Sequence, residues 1–227
     1  MNNARRNLTL AAAALAAVMS AAPALAADDA AEAQGLVAKA KETVSEFAAN
    51  KDFPTFAPAL GKAKAVLIFP QVLKAGFILG GSGGTGVLMV RDAKGDWTGP
   101  AFYTMGSASL GFQAGASSAE VVMIVNSQKA LDSLYSNKFK LGGDASVAAG
   151  PKGVGTGASL TADFVVYSTV KGAFAGMSVD GSVLDVRQSL NQAYYGKPVT
   201  PVDIVVKKDA TSADAAGLRA TLKSIQK

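Results

Sequence analysis

The chain has no cysteine and no histidine among its 227 residues. Without cysteine there is no disulfide, no thiol nucleophile, no thiolate metal ligand and no lipidated cysteine anchor. Without histidine there is no Ser-His-Asp triad, no imidazole general base and no imidazole-bound zinc. Charge is sparse as well. Asp, Glu, Lys and Arg together make up 17% of the chain, with a formal net charge of +5. That balance is too mild and too dispersed for a nucleic-acid binder, whose basic residues concentrate on one face. It suits a weak attraction to anionic lipid head groups, and it suits equally a solubilising surface charge.

Long apolar runs are also lacking. The Ala- and Leu-rich stretch from Leu8 to Met19 falls short of the roughly 20 residues that a membrane span needs. Arg5 and Arg6 precede it, and Ala24-Leu25-Ala26 follows, with Asp28 and Asp29 just beyond. A positive start, a short apolar run and a small-x-small pattern are the layout of a secretory signal peptide. The expectation is cleavage after Ala26, with residues 1–26 as the signal and residues 27–227 as one domain, periplasmic or secreted.

Residues 30–49 carry Leu36, Val37, Ala40, Val44, Phe47 and Ala48 at helical spacing, which predicts an amphipathic helix that Asp28 or Asp29 could cap. A short helical turn is expected over 56–64, further helices over Gln128–Tyr135 after a Ser127 cap and within Arg187–Tyr194, and a terminal helix over 212–227 with Leu218, Leu222 and Ile225 on one face. Between them the chain reads as β-rich. Strand candidates are Ala65–Phe69, Phe77–Leu79, Val87–Val90, Val121–Val125, Phe164–Tyr167 and Ile204–Val206, each bounded by turn-forming residues. Glycine-rich stretches, such as 106–115 and 142–157, lie between them. Residues 66–77 and 86–100 also align with 164–174 and 182–198 at an offset near a hundred. Two halves built alike would explain this, and so would chance likeness between valine-rich segments. In the first case Lys74 and Lys171 occupy equivalent turns, as do Arg91 and Arg187.

Two motifs invite chemistry, and their context argues against it. Gly81-Ser82-Gly83-Gly84-Thr85-Gly86 matches G-x-G-x-x-G, but a dinucleotide site needs this loop to open a helix. Here a β run follows, so a glycine-rich hairpin or bulge is the expectation. Ser168-Thr169-Val170-Lys171 matches S-x-x-K, yet the companion S-D-N and K-T-G elements are missing. The carboxylates Glu120, Asp144, Asp163 and Asp180 show no local pairing, although catalytic carboxylates can converge from distant positions. No catalytic residue, metal site or cofactor is expected, and no nucleotide or nucleic-acid partner. The remaining features are apolar and basic: Lys62, Lys64 and Lys74 surround an apolar strand, and Lys39 and Lys41 lie on the first helix, which either docks on the sheet or lies in a membrane interface.

An ordered series of short motifs carries a resemblance. It begins with 64–70 (Lys-Ala-Val-Leu-Ile-Phe-Pro), Lys74-Ala75-Gly76-Phe77, Trp97 and Pro100. It continues through Gly111, Gln113 and Gly115, Leu141-Gly142-Gly143-Asp144, Tyr167-Ser168, Lys171-Gly172 and Phe174, to Asn191 and Tyr194-Tyr195-Gly196. Over about 36–206 the chain resembles the SYLF domain family. The resemblance implies binding of anionic phospholipid, phosphoinositides in eukaryotic members, partly through an amphipathic N-terminal segment and basic residues. It implies no settled catalytic residue. On position, Lys39, Lys41, Lys62, Lys64, Lys74, Arg91 and Lys171 are the candidate lipid contacts. The expected fold is α+β: a curved antiparallel sheet or barrel-like β-sandwich, with the N-terminal amphipathic helix and a few short helices on one side. The expected function is an exported, non-enzymatic module that associates with membranes. Its alternatives are an envelope hydrolase using carboxylates and a structural envelope protein that binds protein partners through a sheet edge.

Overall fold

A computed structural model describes residues 28–76, 79–110, 115–136, 138–150, 162–172, 179 and 181–226. The expected signal peptide, Phe77 and Ile78 of one strand candidate, 111–114 and 151–157 of the glycine-rich stretches and Asp180 lie outside these residues. The fold is α+β, and its centre is one strongly curled eight-stranded sheet. The strands are β1 (Ala65–Gly76), β2 (Leu79–Arg91), β3 (Trp97–Leu110), β4 (Gly115–Val125), β5 (Lys138–Lys140), β6 (Val147–Ala149), β7 (Phe164–Gly172) and β8 (Val183–Val186). Their order across the sheet is β5-β8-β3-β2-β1-β4-β7-β6. Every pairing is antiparallel except β6 with β7.

Helices cover both faces rather than one. The reason is legible in β1, where Ala65, Val66, Leu67, Ile68 and Phe69 are all fully buried. An unbroken apolar run needs cover on each side of the sheet. On one face Val66, Ile68, Val87, Met89, Val122 and Ile124 pack against α1 (28–49), α2 (Phe56–Lys62), α4 (Gln188–Tyr195) and α6 (Ala216–Ile225). On the other face Leu67, Phe69, Leu88, Tyr103, Val121 and Met123 pack against α3 (Gln128–Leu134) and α5 (Pro201–Val205). The periodic residues of α1 are consumed by this packing: Val37, Val44 and Phe47 are 3%, 0% and 1% exposed. Asp28 and Asp29 already lie within α1 and do not precede it. The Ser127 cap is present, its hydroxyl accepting a hydrogen bond from the Ala130 N–H at 3.0 Å.

Further expectations are corrected. Ile204–Val206 is no strand, because the segment forms α5. Thr200 and Asp203 make a reciprocal capping box, and Pro201 opens the first turn. These local signals outweigh the β-branched run that follows. Of the two expectations for the glycine motif, the hairpin is replaced by the interior of β2, while a bulge does lie opposite Gly86 in β1; β3 likewise runs straight through Gly106. Pro70 lacks the N–H of a sheet residue, and the register of β1 shifts around it toward both neighbours. The bulge pushes backbone against β2, where a Cβ on Gly84 would meet the Gln71 carbonyl at 2.3 Å and one on Gly86 the Ile68 carbonyl at 2.4 Å. Glycine is needed there for space. Finally, the aligned segments are not a repeated unit. β1 and β2 form a hairpin, whereas β7 and β8 sit apart, beside β4 and β3. Lys74 and Lys171 lie in strands and not in turns.

Candidate functional site

β1 rises about 3.3 Å per residue, so Lys64 at its head and Lys74 near its far end are roughly 30 Å apart. The basic residues singled out in the sequence therefore cannot form a single site. Lys62 closes α2 and Lys64 precedes β1, both exposed. The Lys64 N–H donates to the Val125 carbonyl, and its own carbonyl accepts from the Arg91 N–H. Lys39 and Lys41 are exposed on α1. Lys39 borders the sheet, while the Lys41 stem lies near Gly217 of α6. Lys74 is half-buried in β1, opposite Ser82 on one side and Ser117 on the other. Lys171 pairs with Ser118 by backbone register.

Arg91 does structural work. Its guanidinium donates to the Leu60 carbonyl at 2.6 Å, which also accepts the Ala63 N–H, and to the Gly61 carbonyl at 2.7 Å, both in the last turn of α2. It also lies over the Trp97 ring at 5.0 Å. Burial holds its proton affinity below the ordinary guanidinium range. Arg187, its partner in the sequence alignment, similarly ties a helix to the sheet. It donates to the Thr85 hydroxyl at 2.8 Å and to the Glu32 carboxylate of α1 at 3.0 Å.

Two hollows open where α1 crosses the sheet. The larger, about 430 Å³, lies between Ala31, Leu36 and Lys39 of α1 and Pro70, Leu73 and Thr85 of the sheet. The smaller, about 240 Å³, gathers Glu42 and Glu46 of α1 with Glu120 and Thr169. The carboxylates of this second hollow line one space. Glu42 and Glu46 are exposed, and Glu120 accepts hydroxyls from Thr43 at 3.4 Å and Thr169 at 3.0 Å. Asp144 accepts the Lys140 N–H at 2.8 Å and closes a turn, while Asp163 accepts the Ser146 N–H and hydroxyl and ties the residue before β7 to the residue before β6. Ser168 of the S-x-x-K motif lies inside β7, not at a helix start. Among the described residues no cluster of three acidic side chains could hold a metal ion, and no helix is long and apolar enough to cross a membrane.

The sequence reading missed Leu73, Thr85, Lys140 and Val183. Each meets its surface neighbours only through strand pairing, although Thr85 lies in the glycine motif and Leu73 and Val183 in the aligned segments. Asn191, named in the motif series without a role, is fully buried and holds the Phe102 N–H with its side-chain carbonyl at 2.9 Å.

The profile described as "Ysc84: Las17-binding protein actin regulator" matches residues 106–225, more than half of the chain. The chain belongs to the Ysc84 family. This agrees with the SYLF resemblance of the motif series. Protein YSC84 of Saccharomyces cerevisiae is 36% identical over 161 residues, which cover 68% of this chain and 34% of that protein. LAS seventeen-binding protein 3 of the same yeast is 36% identical over 148 residues, 62% of this chain and 32% of that protein. SH3 domain-containing YSC84-like protein 1 of Bos taurus is 30% identical over 188 residues, 81% and 54% respectively. This Ysc84-family chain thus spans between about a third and about half of the length of these relatives. Their names speak of Las17 and of an SH3 domain, not of a lipid. No solved structure matches the chain.

Proposed function

We propose that this chain is a non-catalytic binding module that is exported and attaches to anionic phospholipid surfaces. One observation carries the reading. Lys39, Lys41, Lys62 and Lys64 are exposed and have no carboxylate partner among the described residues. By contrast, Lys207, Lys208 and Lys223 are held at 2.8, 2.6 and 2.5 Å by Asp203, Asp92 and Asp96. The unpaired ammonium groups are free to meet phosphate. Each lysine near an anionic surface contributes about 1 kcal/mol. A rigid body presents only part of its surface to a plane, so head-group contact alone gives at most about 3–4 kcal/mol, a dissociation constant near the millimolar range. Attachment of this kind is weak and strongly salt-sensitive, and it needs apolar contact to become firm.

The apolar face of α1 supplies none of that contact while the helix is docked. Exposing Val37, Val44 and Phe47 would cost roughly 1.5–3 kcal/mol each. Vesicle co-sedimentation tests the proposal. Binding is expected to rise with the anionic lipid fraction, fall with salt, and weaken when Lys39, Lys41, Lys62 and Lys64 are all changed to Glu. Equal binding to neutral vesicles, or none to anionic ones, refutes it. The names of the relatives favour a second reading, in which the module binds a protein partner, and the absence of vesicle binding would support that reading.

A further inference from the structure

The sheet extends beyond the edge of α1, and its far end carries an unusual row. Read by register, Lys140 of β5 pairs with Val183 of β8, Val183 with Gly106 of β3, Gly106 with Gly83 of β2, and Gly83 with Leu73 of β1. Directly paired residues share a face. This is the face of α1: Leu184 and Met105 point into the opposite core, so their neighbours Val183 and Gly106 point away from it. Leu73 is 56% exposed and Val183 39%, two of only three large apolar side chains so exposed among the described residues. A second row, with exposed Ala108, Ala75 and Ala116, continues the surface outward. The result is an apolar strip with a glycine floor, about 14 Å wide from Val183 to Leu73 at the strand spacing of ~4.8 Å. Isolated exposed leucines mean little, but a contiguous strip rimmed by polar groups marks a contact surface.

Charge at the rim identifies what it contacts. Lys140 ends the row on one side, and Lys39 of α1 stands beside Leu73 at the larger hollow. Neither has a carboxylate partner among the described residues. Asp185 is paired with Lys138 at 3.9 Å and Glu32 with Arg187 at 3.0 Å, while Glu42, Glu46 and Glu120 line the smaller hollow together with Lys39 at the Ser118 margin. On the opposite margin the row reaches Ser118, whose register partner is Lys171.

We infer that this outer face of the projecting sheet, with Leu73 and Val183 flanking its glycine floor and Lys39 and Lys140 at its rim, is the surface that lies on an anionic bilayer. The inference rests on the lipid reading above and adds to it the orientation of the molecule. It also replaces insertion of α1 with contact by the sheet beside it. The apolar strip supplies what head-group contact lacks, and the two rim ammonium groups sit at the level of the phosphates.

The absence of native cysteine makes a direct test simple. Leu73→Cys, Val183→Cys and, on the opposite face, Gln128→Cys would each carry an environment-sensitive fluorophore. Vesicles of phosphatidylcholine with phosphatidylglycerol should blue-shift the first two labels and leave the third unchanged. On the unlabelled chain, Leu73→Asp with Val183→Asp should weaken co-sedimentation by about tenfold or more, since two apolar contacts become charges. Both positions are exposed, and circular dichroism checks that the fold is kept. If wild-type protein binds no anionic vesicle, the lipid reading falls and this orientation with it. If wild type binds while the double variant binds equally well, the orientation alone is wrong. Loss of binding with Lys62→Glu plus Lys64→Glu, without loss in the double variant, would move the contact to the far end and overturn the inference.

Discussion

Replacing Arg91 separates a structural cation from a lipid ligand. Its two charged hydrogen bonds run to the carbonyls of Leu60 and Gly61, at 2.6 and 2.7 Å, and its guanidinium covers Trp97. Hydrogen bonds to charged groups contribute about 1.5–3 kcal/mol each, and a cation–π contact at a half-exposed site about 0.5–1 kcal/mol. The gross sum is an upper bound. In Arg91→Met the freed carbonyls at the end of α2 regain water, and the side-chain Nε of Arg91 is itself buried without a partner. A net loss of roughly 2–3 kcal/mol is expected. With a urea slope of about 2 kcal/mol/M the unfolding midpoint should fall by about 1 M or slightly more. Arg91→Lys keeps the charge but loses the planar fork, and should lie between wild type and Arg91→Met. Trp97, the only tryptophan in the chain, lies directly under the guanidinium. Its fluorescence reports local and global unfolding in the same titration, and far-UV circular dichroism serves as the second probe. A midpoint within about 0.2 M of wild type, together with a clear drop in vesicle binding, would refute the capping argument and return Arg91 to the lipid surface.

Two further predictions follow from close contacts and charge. Gly84→Ala and Gly86→Ala should each destabilise by about 1–3 kcal/mol or more, because backbone carbonyls occupy the Cβ positions. Gly35→Ala in α1 meets nothing within 4 Å and should stabilise by about 0.5–1 kcal/mol; thermal melts in which all three behave alike would contradict this. Asp92 is held below the usual carboxylate range, first by the Lys208 ammonium at 2.6 Å and also by the Lys94 and Asp96 N–H groups. The unfolded chain therefore takes up this proton first. The stabilisation is present above the ordinary carboxylate pKa of about 3.9 and is lost as pH falls through the lower folded value. Asp92→Asn should flatten the decline of melting temperature below about pH 5, and parallel curves for the two proteins would argue against it.

Much of the fold is legible without coordinates, wherever the signal is local. The spacing of Val37, Ala40, Val44 and Phe47 marks α1, Ser127 marks the start of α3, and Leu218 with Leu222 marks the buried face of α6. The unbroken apolar run of β1 carries the fact that both faces of the sheet are covered. Thr200, Pro201 and Asp203 also state a helix start plainly, and the misreading of α5 came from weighting β-branched composition over capping chemistry. The ordered glycine and aromatic motifs are specific enough to place the chain in its family.

The surface is a different matter. Which lysines stand together depends on strand order and register, and these join residues over a hundred positions apart, as in the row from Leu73 to Val183. The same exposed charge looks equivalent at Lys64 and Lys74 in sequence, yet the length of one extended strand separates them. Arg91 reads as a candidate ligand until α2 is seen to present its last-turn carbonyls to it. Local patterns were enough to decide the elements and the absence of thiol and imidazole chemistry, because those depend on residue type and near neighbours. Tertiary structure alone decided which cations are spent on the fold and which apolar side chains are left facing outward, because both follow from contacts between distant segments.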